Sequence, residues 1–91
     1  MEPKTIYIED KQPTLKEIQD MVGGYIEFVW DNGVVQVICN EEGKLMGLPV
    51  NTEATKIWAE LLFEGGNAVI GRMTDCLVGD VVILKGDARL N

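Results

Sequence analysis

The side chains with a claim to chemistry are Cys39, Cys76, the carboxylate Glu27 and the polar run Asn40-Glu41-Glu42-Gly43-Lys44. No histidine and no serine occurs anywhere in the chain. That removes Ser-His-Asp triads, Cys-His dyads and every histidine-ligated metal or proton shuttle. A cysteine nucleophile needs a base or a positive neighbour to form its thiolate. Cys39 falls on the expected core face of a strand, where it behaves as a small hydrophobe. Cys76 follows Asp75, whose charge disfavours a thiolate, and only a tertiary approach by Arg72 or a lysine would reverse this. Paired carboxylates remain, since acid–base work needs two such groups with separated pKa values. Glu27 is the candidate nearest the Asn40-to-Glu42 turn, yet a solvated strand residue beside Lys44 is the plainer reading.

Phosphate and cation sites fare no better. The Gly43-Lys44 pair has Ile38 where a P-loop requires its first glycine, and no G-x-G-x-x-G is present. The Gly-Gly pairs at 23–24 and 65–66 stand at expected helix C-termini, where free carbonyls repel anions. No glycine follows the spaced oxygen ligands of an EF-hand loop. Asn40, Glu41 and Glu42 offer oxygens to a weak Mg²⁺ or Ca²⁺ site, but an acidic turn is more simply a solvated one. The residue kit therefore implies no cofactor, no metal and no enzymatic activity.

Bulk composition narrows the field further. The 91 residues carry eight Lys and Arg against fifteen Asp and Glu, for a formal net charge of −7. The basic residues are scattered from Lys4 to Arg89, which disfavours direct nucleic-acid or anionic-membrane binding. A DNA mimic of this size would have to match roughly 18 phosphate charges, at one per about 1.7 Å of duplex. A net charge of −7, interleaved with lysines, falls short. The longest apolar run is Val81-Val82-Ile83-Leu84, too short to span a bilayer. The start lacks a signal-peptide pattern, and two cysteines make no disulfide framework, so a reduced cytoplasmic protein is expected. A chain of this length supports one core, so residues 1–91 read as a single domain.

The elements that must position these residues follow from patterning. Thr5 to Glu9 reads as a strand by its β-branched and aromatic content. Thr14 and Glu17 form a capping box for a helix whose Leu15, Ile18, Met21 and Val22 share one face, and Gly23-Gly24 ends it. Tyr25–Trp30 and Val34–Cys39 flank Asn32-Gly33, the favoured pair for a two-residue type I′ hairpin. That turn pairs Trp30 with Val35, Phe28 with Val37 and Ile26 with Cys39 on a core face. The opposite face, with Tyr25, Glu27, Val29, Gln36, Ile38 and Asn40, is left as a mixed surface. Tyr25 there is a candidate contact residue. A second helix starts at Asn51 or Thr52, with Ala54, Ile57, Trp58, Leu61 and Leu62 as its apolar stripe. Ala68–Ile70 and Val81–Leu84 read as strands. The order β-α-β-β-α-β-β implies an α+β fold, a two-layer sandwich with both helices on one face of a mostly antiparallel sheet. The ferredoxin-like arrangement is one realisation of it.

The stretches Gly23-Gly24-Tyr25-Ile26-Glu27 and Asn40-Glu41-Glu42-Gly43-Lys44-Leu45-Met46-Gly47-Leu48-Pro49-Val50-Asn51 carry a likeness. The chain resembles a family of small proteins of unknown function common in bacteriophages, prophages and plasmids. Those carry G-G-[YF]-I-E, a hairpin, then N-E-E-G-K-x-x-G-L-P-x-N and an alanine-rich helix. Leu77 to Leu84 is similar to the family's closing strand. The resemblance implies a mobile-element origin and expression inside a bacterial host, and it implies no activity. Gly43, Gly47 and Pro49 suit turns and Asn51 suits a helix cap, while Asn40, Glu41, Glu42 and Lys44 have no evident packing duty. Binding residues are therefore sought among Tyr25, Glu27, Asn40, Glu41, Glu42, Lys44 and Asn51, although a turn stabilised by Asn40 and Lys44 is the plainer explanation of part of that set. The leading expectation is a non-enzymatic accessory protein that binds a host or phage protein. The alternative is a protein that binds or sequesters a small anion or nucleotide near Tyr25, Asn40 and the Asn51 helix start. A carboxylate-and-metal hydrolase ranks third, and edge strands permit a homodimer.

Overall fold

The computed structural model describes residues 2–64 and 75–90. The strands are β1 (Thr5–Ile8), β2 (Ile26–Asp31), β3 (Val35–Asn40) and β4 (Val81–Lys85). The helices are α1 (Leu15–Val22) and α2 (Thr52–Glu64), and a 3-10 turn covers Gly86–Ala88. The fold is α+β. The four strands form one sheet in the order β1-β4-β3-β2, with β1 parallel to β4 and the other two pairings antiparallel. The expected strand at Ala68–Ile70 and helix stop at Gly65-Gly66 lie outside the described residues.

Local signals explain where the helices begin. Thr14 accepts from the Glu17 N–H at 3.1 Å, and the Glu17 carboxylate accepts from the Thr14 N–H at 2.9 Å. This reciprocal pair is the expected capping box, and Gly23 at φ 83° closes α1 in the left-handed conformation. Asn51 caps α2, its side-chain oxygen accepting from the Ala54 N–H at 2.9 Å.

The two helices lie on opposite faces of the sheet, not on one. Ile18 and Val22 of α1 pack with Ile38, Val82 and Leu84. Ala54 of α2 packs with Val37, Cys39, Val81 and Ile83, joined by Ile57, Trp58 and Leu61. Alternate residues of β3 and β4 thus serve two cores, which makes three layers instead of two. The physical reason lies in β4, whose run Val81-Val82-Ile83-Leu84 is fully buried throughout. A strand apolar on both faces needs cover on both.

The hairpin register also departs from expectation. The Asn32 carbonyl-amide oxygen accepts from the N–H groups of Val34 and Val35, at 2.9 and 2.8 Å. These side-chain bonds widen the loop, so the ladder starts with Asp31 opposite Gln36 and Trp30 opposite Val37. A bulge at Val29 then shifts the pairing, setting Phe28 opposite Ile38 and Glu27 opposite Cys39. The β3 half of the face expected to be a mixed surface is instead core, with Gln36, Ile38 and Asn40 all buried, while Tyr25 and Glu27 of the β2 half are exposed. Gln36 meets its polar requirement there by exchanging two hydrogen bonds with the Leu90 backbone, at 2.6 and 2.7 Å.

Candidate functional site

A cleft of about 370 Å³ opens beside β2 and β3, at the end where the Asn40-to-Gly47 turn leaves the sheet. The strands contribute Glu27, Phe28, Val29, Cys39 and Asn40, and the turn contributes Glu41, Lys44 and Leu45. Trp58 of α2 and the segment Asp75–Val78 complete the lining.

The turn holds its shape through its own backbone. Bonds run from the Gly43 N–H to the Asn40 carbonyl, Met46 to Glu42, Gly47 to Lys44 and Leu48 to Gly43, at 2.9–3.1 Å. Asn40 anchors it from below. Its Nδ2 donates to the Val22 carbonyl at the end of α1 (3.1 Å), and its Oδ1 accepts from the Glu42 N–H (2.8 Å). The far side seats on residues 78–79. A side chain at Gly43 would put its Cβ 2.9 Å from Val78 Cγ2. Gly79, at φ 73°, would bring its own to 2.7 Å from Leu48 Cδ1. Both glycines permit this close approach of backbone to side chain.

Asn51 is the second anchor. Its Nδ2 donates to the carbonyls of Lys4 and Gly79, each at 3.0 Å, and its Oδ1 accepts from the Ala54 N–H and the Thr5 hydroxyl. Its own N–H donates to the Leu77 carbonyl at 2.8 Å. The stretch from Asn40 to Asn51 is therefore bracketed by two buried asparagines whose amides tie it to three other segments.

Charge in the cleft is dominated by carboxylates. Among the described residues, Glu27, Glu41 and Asp75 line it against the one cation Lys44. Lys44 Nζ pairs with the Asp75 carboxylate. The shared hydrogen bond holds Lys44 above the usual lysine range. The same bond, followed by the Cys76 N–H, holds Asp75 below the usual carboxylate range. Cys39 lies 7% exposed, and its thiol is pushed up to about 11 by burial first and then by the Glu27 charge. A thiol at that value is not a nucleophile at neutral pH. Lys44 does come near Cys76, but its charge is engaged by Asp75. Among the described residues, no group of three or more His, Cys, Asp and Glu side chains is placed to hold a metal ion.

Four of the seven sequence-derived candidates, Glu27, Asn40, Glu41 and Lys44, line this one cleft. Tyr25, Glu42 and Asn51 do not line it: Tyr25 is 68% exposed just ahead of β2, Glu42 is exposed on the turn, and Asn51 is buried under the start of α2. Sequence reasoning missed Asp75, Leu45 and the lining role of Trp58. Asp75 carries no local signal, because its partner is 31 residues away. Trp58 was legible as core; its indole N–H donates at 3.2 Å to the carbonyl of Val29, the bulge residue.

No helix of the described residues is long and apolar enough to cross a membrane. No curated protein and no solved structure matches the chain. One family model does, over residues 1–89, and its description is a domain of unknown function. The chain belongs to that family, DUF3846.

Proposed function

We propose that this chain is a non-enzymatic protein-binding module that docks a partner at the cleft between the Asn40-to-Gly47 turn and the Asp75–Val78 segment. One observation carries the reading. Leu45 is 87% exposed on a turn whose backbone bonds and asparagine anchor hold it there, directly at the cleft. Phe28, which also lines the cleft, is 45% exposed, and Met46, the next residue of the turn, is 56% exposed. Single exposed apolar side chains are ordinary, whereas a cluster beside a cleft marks an interaction surface. The likeness to proteins of phages, prophages and plasmids supports a mobile-element origin and a host or phage protein as the partner. An anionic small ligand finds less support, since the cleft sets Glu27, Glu41 and Asp75 against one already paired lysine.

The test is affinity capture from the native cell with the tagged chain and with a Leu45→Glu, Met46→Glu double variant. Both substituted side chains are exposed, so the variant should fold normally, which circular dichroism verifies. A partner retained by the parent chain and lost by the variant supports docking at this surface. Equal recovery by both overturns it.

A further inference from the structure

Resting on that docking reading, we infer that the cleft receives a cationic side chain, lysine or arginine, carried on an otherwise aliphatic segment of the partner. The charges of the described lining residues do not balance. Among the described residues the ion pairs are Lys16–Asp20 on α1 and Lys44–Asp75 at the cleft, so Glu27 and Glu41 have no cationic partner. Both carboxylates line the cleft together with the apolar residues Val29, Trp58, Leu77 and Val78.

An incoming cation meets three carboxylates, and one of them is readily released. The Lys44 and Asp75 side chains are 58% and 55% exposed, and an ion pair this exposed adds little to stability. Exchange of Lys44 for a partner's cation at Asp75 therefore costs little, and Lys44 is free to swing to solvent on its long stem. The cleft volume of about 370 Å³ lies at the low end for binding sites. It suits one or two side chains of an extended segment. The exposed Leu45 and Phe28 flank it and supply contact for aliphatic neighbours of the cation. An acidic segment meets repulsion from Glu27 and Glu41 instead.

The experiment titrates the full chain with three short capped peptides in which leucine alternates with lysine, glutamine or glutamate, in about 0.15 M salt to screen long-range attraction. Amide chemical shifts report where each probe binds. The lysine probe should shift Glu27, Glu41, Asp75 and Leu77 and bind at least about tenfold more tightly than the glutamine probe, a difference of about 1.4 kcal/mol. A Glu27→Gln, Glu41→Gln double variant should abolish that preference, and Lys44→Gln should tighten the lysine probe. Equal binding of the lysine and glutamine probes in the cleft overturns the charge inference and leaves the docking reading standing. Lysine-probe shifts confined to α1 overturn the inference as general electrostatics. Failure of all three probes to perturb the cleft counts against both.

Discussion

Lys44 and Asp75, 31 residues apart in the chain, pair at the edge of a cleft that both residues line. The pair joins the Asn40-to-Gly47 turn to the segment leading into β4, and its pH dependence follows from the two shifts. Asp75 is held below its ordinary 3.8, so its contribution is complete above that value and is lost as pH falls through the lowered one. Lys44 is held above its ordinary 10.5, so its contribution is complete below that value and is lost as pH rises through the raised one. Both side chains are more than half exposed, which limits the contribution to under about 1 kcal/mol. Urea midpoints of the parent and Asp75→Asn should differ by that small amount at neutral pH and converge in strong acid. A gap of several kcal/mol, or one that persists unchanged in acid, contradicts the weak-latch description.

Asn51 should behave very differently. It is 2% exposed, and replacing it with alanine removes the α2 cap and leaves the buried Gly79 carbonyl without this donor, while the Lys4 carbonyl keeps the Val81 N–H. A lost cap costs about 1 kcal/mol and one orphaned buried group about 1–3, so destabilisation of about 2–4 kcal/mol is expected. Denaturant unfolding measures it directly. A change under about 1 kcal/mol would show that water replaces the amide at no penalty.

The contrast between Asn51 and Lys44 illustrates what a single sequence reveals. The caps at Thr14 and Asn51, the helix stop at Gly23 and the hairpin were legible because each depends on residues a few positions apart. Helix placement also has a local signal. The unbroken run Val81 to Leu84 signals a strand covered on both sides, and so helices on both faces. The bulge at Val29 had no such signal, because it arises where the asparagine-widened loop and the two-sided core impose different registers. The cleft was half legible. Its strand and turn residues sit in one conspicuous motif, whereas Asp75 and Trp58 arrive only through tertiary folding.

The two thiols offer a check on the cleft's interior. Cys39 is buried with its pKa pushed up to about 11, while Cys76 is partly exposed. Iodoacetamide at mildly alkaline pH should alkylate Cys76 in the native chain and leave Cys39 unmodified until denaturant is added. Peptide mass spectrometry reads the two sites separately. Labelling of Cys39 at the rate of Cys76 would place its thiol in solvent and contradict the packing against Ala54 and Leu77.

Tyr7 reports on the opposite end of the molecule. Its hydroxyl donates to the Glu53 carboxylate at 2.6 Å, and desolvation followed by that acceptor raises its pKa from 10.0 to about 12. Stability from this pair is complete below 10.0 and is lost as pH rises through about 12. In a Tyr25→Phe variant, tyrosinate absorbance reports Tyr7 alone and should titrate near 12. Glu53→Gln should lower that value without restoring it fully, since desolvation is the larger cause. Titration at the ordinary tyrosine value would show that β1 and α2 are not joined here.

Docking at the cleft is tested most directly by site-specific photo-crosslinking in the native cell. A photoreactive residue replaces Leu45, at the cleft, or Lys16, on α1 across the sheet. Irradiation should join the chain to one discrete protein from position 45, with no such product from position 16. Excess unlabelled parent chain should compete it away. No adduct from position 45, or the same adducts from both positions, would contradict a docking role for this surface.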